Sequence, residues 1–215
     1  MTALTHPPAV VRYRDDGPIA DALGRAVRGH VPPLLAALAA TVVTVVLLPA
    51  HPVDVQGIVV LVPPLVALLA AAGAAHPHTG RLQWLAPPLL RCAEYLYIGG
   101  LCYAQLLAPS YTFLLIGALV FHHYDTVYRV QQGVGVPRWL RWAALGWDGR
   151  MLLFGLAALA GSTVVLAPVW ILVYFGGLTA LWALFIGESV TTWIRHPRGG
   201  TQPTGQAIDA EEEAA

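Results

Sequence analysis

Six stretches of nearly uninterrupted apolar residues, separated by short polar or proline-containing breaks, set the rhythm of this chain. They cover about 31–48, 55–75, 84–107, 110–128, 150–166 and 169–194. A helix needs roughly 17–25 residues to cross the hydrocarbon core of a bilayer, so the pattern predicts an all-α fold: a polytopic bundle of six transmembrane helices. Pro32-Pro33 falls in the first turn of the first stretch, where proline is tolerated. Pro63-Pro64, near the middle of the second, predicts a kink. Ahead of these stretches, from Pro18 to Arg28, Ile19, Leu23, Ala26 and Val27 recur at the spacing of one helical face. Asp21 and Arg25 pair at i,i+4 on the other face, and Asp15 or Asp16 supplies a cap. That segment reads as a short amphipathic helix on the membrane surface. Residues 1–16 and 199–215 have the composition of disorder, the latter acidic, which leaves 17–198 as the folded domain.

Composition supports the membrane reading. Hydrophobic residues make up 57% of the chain and charged ones 11%, with a mean hydropathy of +0.63. A soluble domain carries about 25% charged residues. The balanced net charge says little about partners, and nothing points to a nucleic acid. All 12 basic residues are Arg, and their placement sets an orientation. Arg12, Arg14, Arg25 and Arg28 precede the first stretch, and Arg81 lies between the second and third. Arg129, Arg138, Arg141 and Arg150 surround the connection between the fourth and fifth, and Arg195 and Arg198 follow the sixth. The alternate connections contain none. Positive residues stay cytoplasmic, so both termini are expected inside, in a multi-pass protein of the cell membrane.

Charged and His side chains are costly at membrane depth and need partners, water or a ligand. Arg91 and Glu94 stand at i,i+3 on a polar face that includes Tyr95, Cys102 and Gln105, and they are expected to pair inside the bundle. His122, Asp125 and Arg129 share one arc of the fourth stretch, with His123 beside them. Asp148, Arg150 and Glu188 fall at the same end. Glu94, Asp125, Asp148 and Glu188 have the chemistry to hold a divalent cation, Mg2+ or another, with Asp125, Asp148 and Glu188 the nearest set. Arg91, Arg129 and Arg150 suit a phosphate, and His122 or His123 a general base. The plainer reading is a set of salt bridges and interface anchors. Cys92 and Cys102, about 15 Å apart along a helix, are too distant for a disulfide and read as packing residues. His76 and His78 lack a third metal ligand and read as loop residues.

The stretch His122-His123-Tyr124-Asp125-x-x-Tyr128-Arg129, the segment Pro137-Arg138-Trp139-Leu140 and Gly146-Trp147-Asp148-Gly149-Arg150 carry a resemblance. They look like a bacterial membrane-domain family of unknown function, often fused or linked to CDP-alcohol phosphatidyltransferases and nucleotidyltransferases. The resemblance covers about 17–196 and implies an association with phospholipid or polar-lipid synthesis, not an activity. The transferase signature of four aspartates is absent: Asp125 is followed by Tyr128-Arg129, and Asp148-Gly149 by Arg150-Met151-Leu152-Leu153. The expectation is therefore an accessory domain that binds a lipid-linked or nucleotide headgroup, or a lipid-synthesis enzyme, at its cytoplasmic mouth. A divergent metal-dependent transferase is the alternative and a small transporter the second.

Overall fold

A computed structural model describes residues 13–28, 30–50, 57–76, 81–161 and 167–195. Helix α1 spans Pro18–Val27, α2 Pro33–Ala50, and α3 Val62–Ala72 behind a 3₁₀ turn at Ile58–Leu61. Helix α4 spans Ala86–Ala104, after a 3₁₀ turn at Gln83–Leu85, and α5 spans Pro109–Gln131. The short α6, Arg138–Ala143, leads into α7, Gly146–Gly161. Helix α8, Ala167–Ile171, runs through a π-helical stretch, Leu172–Gly176, into α9, Gly177–Arg195. The described residues contain no strand.

The six-span expectation does not hold. Two segments among the described residues are long and apolar enough to cross a membrane, Arg138–Gly161 and Val169–Arg195. Pro33–Leu47 and Ile58–Ala72 are apolar but shorter. The reason is visible in the sequence. Pro63 and Pro64 start α3 rather than kink a longer helix, so the second stretch is divided at its beginning. Helices α4 and α5 are long enough, but Arg91 and Glu94 in one and the 122–129 cluster in the other lower their apolar character. Part of the connection between the fourth and fifth stretches, Arg138–Ala143, is itself helical and leads into α7 across a break at Leu145.

Small side chains set the packing on one side of the bundle. Ala36, Ala37 and Ala40 of α2, Ala67, Ala70 and Ala71 of α3, and Ala93 of α4 are all buried. With so little side chain between them the three backbones approach closely, the arrangement that gives apolar helices their van der Waals contact. Larger groups fill the other side: Tyr97, Leu101, Leu115, Phe154, Tyr174 and Phe185. Their polar tips are satisfied, since buried hydroxyls need partners. Tyr97 donates to the Val60 carbonyl at 2.8 Å, and Tyr111 donates to the Tyr174 carbonyl. Gly155 lies under the Tyr97 hydroxyl, which a Cβ there would meet at 2.3 Å.

The amphipathic segment forms a helix, as its spacing predicts, but it does not lie free on a surface. α1 packs on α3 and α7, burying Ala20 and Gly24. Residues 14–16, which the sequence pattern assigns to a disordered leader, are buried. The expectations for 1–12, for His78 and for 199–215 lie outside the described residues.

Candidate functional site

The residues just before α1 enter the bundle and become its polar centre. Asp15 sits at a φ of 54°, left-handed backbone that Asp tolerates better than most side chains. Arg14, Asp15 and Asp16 then reach into the interior. The Asp15 carboxylate meets His122 Nε2 at 3.1 Å and His123 Nε2 at 3.3 Å, and accepts from Arg150 Nη2 at 2.8 Å. Arg150 Nε donates to Glu94 at 2.6 Å, and Arg150 Nη1 to the Ala144 carbonyl. The Tyr95 hydroxyl bonds His123 Nδ1, and His122 stacks on Phe185 with ring centroids 4.1 Å apart. Asp16 accepts from Arg14 Nε at 2.8 Å and from Trp147 Nε1 at 2.9 Å. Arg14 Nη2 also donates to the Ala70 carbonyl. Four helices and the N-terminal segment are tied together by these bonds. Burial pushes the Asp15 carboxyl up, but the neighbouring His122 and Arg150 outweigh it and hold the carboxyl well below its ordinary range.

Asp148 has a separate role. Its carboxylate accepts from the backbone N–H groups of Gly17, Ile19 and Ala20 at 2.6, 3.1 and 3.0 Å. The first turn of α1 leaves such donors without intrahelical partners, and a carboxylate there also complements the helix dipole. The cap expected from Asp15 or Asp16 is thus supplied by a residue about 130 positions away. It requires close approach: a Cβ at Gly146, which has a φ of 62°, would lie 2.3 Å from the Gly17 nitrogen.

A second network joins α5 to α9. Arg129 Nη1 and Nη2 grip Glu188 at 2.8 and 2.6 Å, a two-bond fork, and Arg129 Nε donates to Asp125 at 2.6 Å. Ser189 and Trp193 donate to the other Asp125 oxygen, and Thr192 donates to Glu188. Arg129 is fully buried, and its hydrogen bonds to the two carboxylates are charge-assisted.

The eight sequence candidates therefore divide. Glu94, His122 and Arg150 meet around Asp15, while Asp125, Arg129 and Glu188 form the α5–α9 clamp. Asp148 caps α1. Arg91 stands alone: Glu94 pairs with Arg150 rather than with Arg91, and Arg91 Nη2 instead donates to the Tyr13 carbonyl at 2.9 Å. The nearest metal set expected, Asp125, Asp148 and Glu188, is not one site, since two of its members hold Arg129 and the third holds α1. Among the described residues no three His, Cys, Asp or Glu side chains are grouped to hold a metal ion. Sequence reasoning missed Arg14, Asp15 and Asp16 as site residues. The available signal was three consecutive charges in a chain with 11% charged residues. Next to Pro18 they resembled a helix cap, which hid their reach into the bundle.

A family model described as a family of unknown function (DUF5941) matches residues 7–214, and the chain belongs to that family. No curated protein and no solved structure matches it.

Proposed function

We propose that this member of a family without an assigned activity is a membrane-embedded accessory module that binds a polar lipid, not a catalyst. One observation carries the reading: the molecule is apolar outside and charged inside. Leu172 and Ile194 are each 71% exposed, and Val169, Ile171, Phe175, Ile186 and Val190 of the same Val169–Arg195 segment are also open, whereas Arg14, Arg129 and Arg150 are sealed within. Exposed apolar faces of this kind mark contact with a membrane or with another protein. Lipid contact on these faces accounts for it. In this reading Arg138–Gly161 and Val169–Arg195 cross as a hairpin, with their Arg-bearing ends on the cytoplasmic side.

The accessory role follows from how the charges are used. The carboxylates and guanidiniums of both networks are paired with one another, Glu94 through one of its two oxygens, and the pairing braces helices. The link to phospholipid synthesis rests on the sequence resemblance of the 122–129 and 146–150 motifs. Alkaline carbonate washing of membranes from expressing cells should leave the chain in the pellet. On a background with Cys92→Ser and Cys102→Ala, an impermeant thiol reagent outside the cell should label Thr163→Cys and miss Arg138→Cys. Release by carbonate sinks the membrane reading. Turnover of a CDP-alcohol by the purified protein, lost in Asp125→Asn, sinks the accessory one.

A further inference from the structure

Arg91 is the one candidate cation that neither network uses. Its side chain is partly buried, it makes no ion pair among the described residues, and its Nε lies buried without an acceptor. A guanidinium offers five N–H donors in a planar fork, and one of them is used here, by the Tyr13 carbonyl. Beside Arg91 is a cavity of about 400 Å³, lined by Tyr13, Trp84, Pro87, Pro88, Val127 and Gln131. That volume lies in the range of small-ligand sites. The lining is mainly apolar, with one full cation and one carboxamide. Trp84 is 60% exposed at the rim, next to the exposed Leu82.

We propose that this cavity binds the phosphate end of an anionic amphiphile, with Arg91 as the phosphate ligand. The oxyanion accepts from the terminal Nη–H donors of Arg91 that Tyr13 leaves unused, and Gln131 supplies a second donor. The first carbons of the apolar body lie against Trp84, Pro87 and Val127, and the rest leaves past the open Trp84 rim. A free phosphate finds the cation but gains nothing from the apolar walls. A neutral lipid fills the walls and leaves Arg91 unpaired. The proposal deepens the lipid-binding reading and rests on it. Its test is done in micelles with a soluble lipid, so it succeeds or fails whether or not the chain is integral to a membrane.

The experiment is titration calorimetry of the full chain in dodecyl maltoside with three probes: dihexanoyl phosphatidic acid, inorganic phosphate and dihexanoylglycerol. Wild type should bind the phosphatidic acid at least tenfold more tightly than either of the others. Arg91→Gln and Trp84→Ala should each weaken that binding at least tenfold, and Arg138→Gln, at an exposed Arg outside the cavity, should leave it unchanged. Arg91→Lys keeps the charge without the fork and should fall between wild type and Arg91→Gln. Trp84 is a rim residue, so its variant keeps the test decisive if Arg91→Gln folds poorly. Wild-type affinity in Arg91→Gln overturns the proposal. So does inorganic phosphate binding as tightly as the lipid, or dihexanoylglycerol binding as well as the acid.

Discussion

Replacing Arg150 by Met tests whether the centre of the bundle is an interlocked charge network. The substitution keeps an apolar side chain of similar length and removes bonds to Glu94 at 2.6 Å, to Asp15 at 2.8 Å and to the Ala144 carbonyl at 3.2 Å. Glu94 and Asp15, both buried, lose their shared guanidinium. Breaking a buried ion pair from one side costs about 3–5 kcal/mol; Glu94 is stranded, while Asp15 keeps His122 and His123. For a chain of this size that is a fall of about 6–20 °C in unfolding midpoint, at roughly 2–4 °C per kcal/mol. Arg91→Met provides the contrast. It removes one hydrogen bond from a partly exposed side chain, at a cost of at most about 1.5 kcal/mol. The assay follows from the cysteines. Cys102 is buried and Cys92 exposed, so on a Cys92→Ser background a maleimide dye reports unfolding as Cys102 becomes reactive on heating. Adding Asp15→Asn and Glu94→Gln to Arg150→Met removes both carboxylate charges and should recover at least half the loss. An Arg150→Met shift no larger than that of Arg91→Met, or a triple variant less stable than the single, refutes the network.

Asp15 gives a pH dependence whose sign is fixed. Its folded carboxyl lies well below the ordinary range, so its contribution is complete above the unfolded value of about 3.9 and is lost as pH falls below that toward the folded value. Unfolding midpoints from pH 6 to pH 3 should therefore drop more steeply for wild type than for Asp15→Asn, and parallel curves would contradict the assignment. Gly146→Ala places a Cβ 2.3 Å from the Gly17 nitrogen at a positive φ; it should cost about 1–3 kcal/mol and raise protease cleavage near Arg14. Gly133→Ala, at a φ of 71° with nothing within 4 Å of the new Cβ, should cost about 1 kcal/mol in the same labelling assay and leave that cleavage unchanged. In the α5–α9 clamp, Arg129→Met should cost about 3 kcal/mol or more. Glu188→Gln should cost about 1–2 kcal/mol, because Asp125 and the carboxamide oxygen still accept from Arg129; thermal labelling of Cys102 ranks the two.

Helix existence was legible in the sequence, and helix function in a bilayer was not. The apolar stretches and prolines lie within a few residues of α1, α2, α4, α5 and the run from α8 to the end of α9, because both signals act within one or two turns. The count of six spans treated every apolar stretch as facing lipid. Burial in protein and burial in lipid draw on the same residues, and the Ala-rich faces of α2 and α3 could not be assigned to one or the other from composition. Gly146 to Gly149 read as a loop because two glycines flank Trp147-Asp148. In the folded chain those glycines allow close approach, of Gly146 to Gly17 and of Gly149 to the Leu145 side chain, and the helix starts through them.

The site shows the same limit at longer range. His122, Asp125 and Arg129 share one arc in the C-terminal half of α5, since 3.6 residues per turn sets that spacing. That arc nonetheless serves two networks. His122 turns to Asp15, while Asp125 and Arg129 turn to α9, a division that depends on which helix packs on each side. Partner choice was equally hidden for Glu94: an i,i+3 Arg91 is a local candidate, but Arg150 reaches it across the bundle and brings Asp15 with it. The pairing that resulted explains why Arg91 is left over. Glu94 is claimed by a more deeply buried guanidinium, so the remaining cation faces an apolar cavity without a carboxylate of its own. A polar lipid is the ligand class that satisfies both features of that cavity at once.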